Sequence, residues 1–283
     1  LYDSSSFTMI LTWKLWRGFK KPYPEHPLFM RVMGMPMKPM PWYMGCAIIL
    51  VAPFLLLPAF VFMSAIYALR WAIMIASTIA QEREAGMYEL VALSPHGMMG
   101  CNRAISAACL HRHESFEQIQ SFGAWVMRLV FTLILMMAIQ SVTPPIMISE
   151  ANPNLNSFIA GLYLLTMAIA IYIDHVQSIV VGNLVGMLTP NYATNRLDAG
   201  FAALLVFLLL QVVTSLVTLL AGFVVLPNLL DGLGVPVQIG TIALAPLRVV
   251  IFYVVREWII QVLWGALKSE LNASASELDF MTG

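Results

Sequence analysis

Four side chains between two apolar stretches are of types that commonly bind metals: Cys101, Cys109, His111 and His113. A structural zinc site usually contains a Cys pair separated by two to four residues, whereas these two cysteines are eight positions apart. With Cys46 the chain has three cysteines, an odd number that implies no disulfide framework. We therefore predict ordinary thiols in a polar loop and no metal-binding residue.

The compact motifs of common enzymes are missing from the sequence. It contains no G-x-x-x-x-G-K-[ST], so the chain cannot cradle ATP phosphates by itself, and no H-E-x-x-H or G-x-S-x-G. No Ser, His and carboxylate constellation stands out. We predict no catalytic residue and no intrinsic enzyme activity.

Three charged residues interrupt long apolar stretches: Arg70, Asp174 and Arg248. Charges in such surroundings are costly, so they usually pair with one another or serve a function. Arg248 with Asp174 is one candidate pair, and Arg70 is a rival partner. We favour pairing that holds helices together, with a role along a substrate path as the alternative. Arg128 and Arg256 lie nearer the ends of their stretches and are expected to extend to a polar boundary.

The stretch around Asp174 has two further features. The imidazole of His175 could ligate a pigment metal, but beside Asp174 it is more typical of a hydrogen-bonded packing residue. The G-x-x-x-G pattern from Gly182 to Gly186 suits close helix packing.

The composition of the chain indicates the kind of fold that positions these charged and polar residues. Hydrophobic residues make up 60% of the chain and charged residues 11%, against about 25% charged residues in a typical soluble domain. The formal net charge is zero, which gives no indication of a nucleic-acid partner. These values predict an all-α fold, a polytopic transmembrane helical bundle in contact with the lipid bilayer.

The apolar stretches predict six spans, within a range of five to seven. A span needs roughly 20 apolar residues, and a single helix over 42–80 would be about 60 Å long, so this stretch is predicted to be a hairpin of two spans turning near Met63. The remaining predicted spans are 121–142, 157–173 with a helix that could continue to Leu188, 199–226 ended by Pro227, and 237–267. A seventh, short span near Asp174 is an alternative.

The distribution of basic residues predicts the orientation. Lys and Arg are concentrated in residues 1–41, whereas 143–156 and 227–236 contain none. The positive-inside rule then places both termini, 81–120, 189–198 and the tail 268–283 on the cytoplasmic side of the inner membrane. Five spans, without the hairpin, would put the basic N-terminal segment outside.

Residues 7–20 mix aromatic and basic side chains at helical spacing, with Trp13, Trp16 and Lys20 on one side. This pattern predicts an amphipathic helix in the membrane interface, with an ordinary solvated helix as the alternative. Because the chain opens on Leu1 rather than Met, we expect its native start to precede this residue.

A charged segment follows the predicted hairpin. Glu-Arg-Glu-x-Gly from Glu82 to Gly86, then Glu89-Leu90 and Leu93-Ser-Pro95, resembles the motif after the second span of type-2 ABC exporter permeases, roughly E-R-E-x-G-T-x-E-L-L-x-x-T-P. That family also has a basic amphipathic helix before the first span, six spans and cytoplasmic termini.

The resemblance implies that the segment from Glu82 to Leu93 forms a coupling helix against a separate ATPase subunit. It also implies a second permease copy that encloses a translocation path with the first. No cofactor is expected. The predicted partner-binding residues are Glu82, Arg83, Glu84, Gly86, Glu89, Leu90 and Leu93.

The motif departs from the family pattern at Met87 and Ser94, where the family has Thr, and at 100–103, where Gly-Cys-Asn-Arg replaces a frequent Gly-Lys. These departures keep an alternative open: a non-transporting accessory subunit of a larger photosynthetic or respiratory membrane complex. Such a subunit would pack against other spans and shape quinone or lipid access, with bound lipid, quinone or pigment contacts. Permease-like sequences of filamentous green bacteria look similar.

Overall fold

The computed structural model describes residues 11–35, 63–93, 97–112, 115–121, 123, 125–127, 129–130 and 153–271. Every regular element within these residues is helical, which confirms the all-α prediction. The first half of the predicted hairpin, most of the predicted span 121–142 and the tail beyond Leu271 lie outside the described residues.

The described chain folds around one long central helix. In chain order the helices are α1 (Leu11–Lys20), α2 (Pro27–Gly34), α3 (Met63–Glu84), α4 (Met87–Ala92), α5 (Gly97–His111), α6 (Ser115–Gln120), α7 (Pro153–Leu188), α8 (Arg196–Leu219), α9 (Leu226–Gly232) and α10 (Val237–Glu270). Helix α7 packs against both α3 and α10, and α8 packs against α3. The short helices α1, α2 and α5 pack around this group.

Two stretches of the described chain are long and apolar enough to cross a membrane, Phe158–Asn191 and Arg196–Gly232. The first covers the predicted span 157–173 except for its first residue, and the second contains the predicted span 199–226. By length and composition, this finding suggests association with a membrane.

Helix α7 continues well past the predicted span 157–173. It runs unbroken to Leu188 over 36 residues, about 54 Å at 1.5 Å per residue. The N-terminal half up to Ile173 carries no charge, whereas every residue from Asp174 to Met187 is buried within the protein. Asp174 therefore marks a change in α7 from an apolar half to a half that is enclosed by other helices.

Pro227 does not end its helix, contrary to the sequence prediction. A π-helical turn over Leu220–Val225 joins α8 to α9, and Pro227 lies in the first turn of α9. In this register the amide of Leu226 donates to the carbonyl of Ala221, so an amide at position 227 would reach the carbonyl of Gly222. Proline has no such donor, and the Arg248 Nε–H supplies one to the Gly222 oxygen at 3.0 Å. The helix therefore passes the proline because a side chain replaces the missing backbone donor.

The predicted close packing of the G-x-x-x-G pattern is confirmed, and its partner is α3. A Cβ atom at Gly182 would lie 2.6 Å from the carbonyl oxygen of Ala68, and one at Gly186 would lie 2.9 Å from that of Ala72. Only glycine permits such an approach of two helix backbones. This contact fixes α3 against the C-terminal half of α7.

Helix α5 was not expected, because the sequence indicated a polar loop within 81–120. Its residues from Met99 to Leu110 are buried on every face. Small side chains such as Ala104, Ala107 and Ala108 let neighbouring helices approach, and some of its buried polar side chains form hydrogen bonds to other helices. The Ser106 hydroxyl donates to the Asn183 side-chain oxygen in α7, for example. A helix buried all round has no polar face for a periodicity argument to detect.

We predict that Gly182→Ala lowers the melting temperature of the purified chain in detergent. The added methyl group would force α3 and α7 apart, at a cost of about 1–3 kcal/mol, which exceeds the roughly 1 kcal/mol that alanine gains in a helix. The matched control is Gly161→Ala in the same helix, where nothing lies within 4 Å of the added Cβ. Equal melting temperatures for the two variants would contradict the proposed packing.

Candidate functional site

The segment predicted as a single coupling helix is divided into two helices. Helix α3 extends through Glu84, Gly86 adopts a left-handed φ of 68°, and α4 begins at Met87. This conformation favours glycine because other residues would place a Cβ against the backbone. We call residues 82–93, from the end of α3 to Leu93, the corner.

Glu82 lies inside the protein rather than at a partner-facing surface. Its side chain is fully buried, and both carboxylate oxygens lie 3.1 Å from Nε of Arg31 in α2. The sequence grouped Glu82 with the partner-binding residues, and this geometry contradicts that role. Glu82 instead attaches the end of α3 to α2.

Arg83 and Glu84 hold the connection between α7 and α8. The Arg83 guanidinium donates to the carbonyl of Pro190 at 3.2 Å and to the side-chain oxygen of Asn191 at 2.7 Å. The Glu84 carboxylate accepts from the backbone amide of Arg196 at 2.9 Å, the first residue of α8, where a negative charge also complements the helix dipole. The end of α3 is thus fixed to the turn that joins two long helices.

The second half of the corner leaves apolar side chains exposed. Leu90 is 67% exposed and Leu93 is 86% exposed, and Glu89 is exposed beside them. Tyr88 attaches α4 to α5. Its side chain is buried, and its hydroxyl donates to the Asn102 side-chain oxygen at 2.8 Å. Of the predicted partner-binding residues, the exposed ones are therefore Glu84, Gly86, Glu89, Leu90 and Leu93.

Asp174 pairs with Arg256, not with Arg248. The Arg256 Nη1 atom lies 2.6 Å from Oδ1 of Asp174, and both side chains are buried. Ser178 accepts from the same nitrogen at 2.8 Å and donates to Asp174 at 3.1 Å, while Nη2 donates to the Gln211 side-chain oxygen at 2.9 Å. Arg256 was expected to extend to a polar boundary, and its role in this network was not foreseen.

The two rival cations lie elsewhere. Arg248 is eight residues before Arg256, about 12 Å along α10, and binds the carbonyl of Gly222 with its guanidinium 4.1 Å from the centre of the Phe223 ring. Arg70 is on an exposed side of α3. The candidate pair of Arg248 with Asp174 is therefore not formed, because the two residues lie at different levels of the bundle.

His175 is a buried packing residue in this structure. Its Nδ1 shares a hydrogen bond with the Ser64 hydroxyl at 3.2 Å, which connects α7 to the start of α3. The rings of Trp16 and Trp125 lie edge-on to the imidazole, with centroids 5.8 and 5.2 Å away. This geometry fits the hydrogen-bonded interpretation rather than ligation of a pigment.

Glu257 was missed in the sequence and holds α1 in place. Its carboxylate accepts from the amide of Thr12 at 3.4 Å and from the Thr12 hydroxyl. Thr12 is in the first turn of α1, where backbone amides lack helical partners and a carboxylate is favoured. Glu257 thereby attaches α1 to α10, one residue from the ion pair with Asp174.

The cysteine and histidine group does not converge on one point in the part of the chain that is described. Cys101 and Cys109 are buried within α5, and His111 Nε2 is 2.9 Å from the carbonyl of Lys20. Burial raises the pKa of Cys109 to about 12, so its sulfur is a thiol at neutral pH and a poor metal ligand. His113 lies outside the described residues.

Comparisons with protein-family models, with curated proteins and with solved structures gave no match for this chain.

We predict that Arg256→Gln destabilises the purified chain in detergent by about 3–5 kcal/mol, because it leaves the buried Asp174 carboxylate without its cation. The double variant Asp174→Leu with Arg256→Met should recover most of that loss, since neither charge remains. The readout is the unfolding transition of each variant. An Arg256→Gln variant as stable as the double variant would contradict a paired, buried Asp174.

We also predict that the thiol of Cys109 resists alkylation by iodoacetamide at pH 8 in the folded chain. With a pKa of about 12, the reactive thiolate is about 10⁴-fold less abundant than the thiol at that pH. Reaction should appear after unfolding, when the pKa returns toward its usual value. Mass spectrometry of Cys109 peptides measures both states, and rapid labelling in the folded chain would refute the burial.

Proposed function

We propose that this chain is the permease subunit of an ABC-type transporter, which moves a substrate with energy from a separate ATPase. The observation that carries the proposal is the corner, where exposed Leu90 and Leu93 lie directly beyond a rigid attachment to the long helices. The sequence motif Glu-Arg-Glu, followed by Gly86 and Glu89-Leu90, supports the same assignment.

The contacts of the corner explain how an ATPase would move the bundle. A subunit that binds Leu90 and Leu93 pulls on α4, which the short turn at 85–86 joins to the end of α3. Arg83 and Glu84 join that end to Asn191 and Arg196, so α7 and α8 receive the same displacement. The exposed leucines provide apolar area for docking, and the hydrogen bonds of Arg83 and Glu84 would transmit the force.

The rest of the proposal concerns the membrane. Six spans with both termini cytoplasmic place the corner and the turn at 189–195 on the inner side of the inner membrane. Two copies of the chain enclose the path, with the partner copy contacting the apolar faces of the outer helix halves. The positive-inside distribution of Lys and Arg supports this orientation.

An accessory subunit of a larger membrane complex is the second candidate. The departures of the motif at Met87, at Ser94 and at 100–103 favour it, because they weaken the resemblance to permeases that couple to an ATPase. In this role the outer halves of the helices pack against other subunits.

Native mass spectrometry of the chain, purified from its own membrane in a mild detergent, separates the two candidates. The permease assignment predicts a complex of two copies with an ATPase subunit that hydrolyses ATP. A complex with photosynthetic or respiratory subunits and no ATPase would replace it with the accessory assignment.

We predict that Leu90→Ser with Leu93→Ser reduces ATPase retention in that complex at least about tenfold, because burying one leucine at an interface contributes roughly 1.5–3 kcal/mol. The matched control is Leu229→Ser with Leu233→Ser, a pair of exposed leucines at the far end of the α8–α9 stretch. Equal retention in both double variants would refute docking at the corner.

A further inference from the structure

Helix α1 has two sides of opposite character. Leu15, Trp16 and Phe19 are buried in the protein, so its apolar side has no need of lipid. On the other side Lys14 and Arg17 are exposed, as are Lys20 and Lys21 at its end. The described segment 11–35 contains five Lys and Arg residues and a single acid, Glu25. Arg31 pairs with Glu82, and no ion pair within the described residues involves the four cations of this basic surface.

The contacts of α1 place this surface at one level of the bundle. Thr12 binds Glu257 of α10, Trp16 packs on His175 of α7, and the carbonyl of Lys20 meets His111 at the end of α5. Within nine residues α1 therefore crosses three helices. Both the α10 and the α7 contacts adjoin the Asp174–Arg256 ion pair, so α1 runs across the bundle at that level.

That level coincides with the end of the apolar half of α7. The residues from Phe158 to Ile173 carry no charge, and Asp174 follows at once. Trp13 stacks on the half-exposed Tyr172 with ring centroids 5.6 Å apart. Tryptophan and tyrosine are enriched where a membrane meets water, so the basic surface lies beside the headgroup region rather than in bulk solvent.

We propose that the exposed basic surface of α1, formed by Lys14, Arg17, Lys20 and Lys21, binds the headgroups of anionic phospholipids. The inference rests on the membrane location in the proposed function but does not depend on transport. Clustered Lys and Arg at such a boundary attract negatively charged lipids. Because α1 is already anchored by Glu257 and by its buried side, the lipids bind a preformed surface and need not order a helix.

The experiment measures lipid binding by the full chain in dodecylmaltoside micelles. Phosphatidylglycerol or phosphatidylcholine is added at increasing mole fraction, and retained lipid is counted by native mass spectrometry. We expect preferential retention of phosphatidylglycerol, which weakens as NaCl is raised from 50 to 500 mM because salt screens the charges. The variant Lys14→Gln with Arg17→Gln should bind this lipid about fivefold more weakly for each charge removed.

The control variant Arg196→Gln with Lys268→Gln removes two cations near the start of α8 and the end of α10, away from α1. It should bind phosphatidylglycerol like the parent chain. The melting temperature of each variant shows that it is folded. Equal affinity for the two lipids, or equal losses in both variants, would overturn the inference. A chain that is monodisperse in buffer without detergent would instead refute the membrane location, so the two failures are distinguishable.

Discussion

The ion pair between Asp174 and Arg256 sets the relative positions of the long helices. A buried carboxylate or guanidinium costs several kcal/mol if it is left unpaired, so α7 and α10 must meet where these two side chains meet. Ser178 and Gln211 complete the network, and Gln211 brings α8 to the same point. The position of one ion pair therefore limits three helices at once, both in rotation and in sliding along their axes.

The residues that follow the two members of the ion pair also position α3 and α1. His175 follows Asp174 and contacts Ser64 at the start of α3, while Glu257 follows Arg256 and contacts Thr12 in α1. From this level α3 runs beside α7 with the backbone approach at Gly182, and ends where Arg83 reaches the turn after α7. The half of the bundle between the ion pair and the corner is thus closely packed, with a polar contact at each end and glycine contacts between.

Much of the fold followed from local sequence patterns. Hydropathy predicted where α7, α8 and α10 lie, and the glycine spacing predicted a close contact, because both signals depend on residues of a single helix. The helix α5 was missed because it is buried all round, and the partner of Asp174 was missed because pairing depends on how two helices are offset. Eight residues separate Arg248 from Arg256, and no local pattern distinguishes them. The passage of the helix beyond Pro227 likewise depends on a donor from α10, about 20 positions later in the chain.

The candidate site shows the same division between local and tertiary information. The motif located the corner, but three of its four charged residues contact other parts of the chain: Glu82 contacts α2, Arg83 the turn after α7 and Glu84 the start of α8. A partner at this surface would meet chiefly the two leucines and Glu89. The binding energy of such a partner would then come from burial of the two leucines. The contacts of Glu82, Arg83 and Glu84 would hold the corner in place. Because these three residues bind α2, the turn after α7 and the start of α8, a displacement of α4 would reach the helices that the buried ion pair holds together.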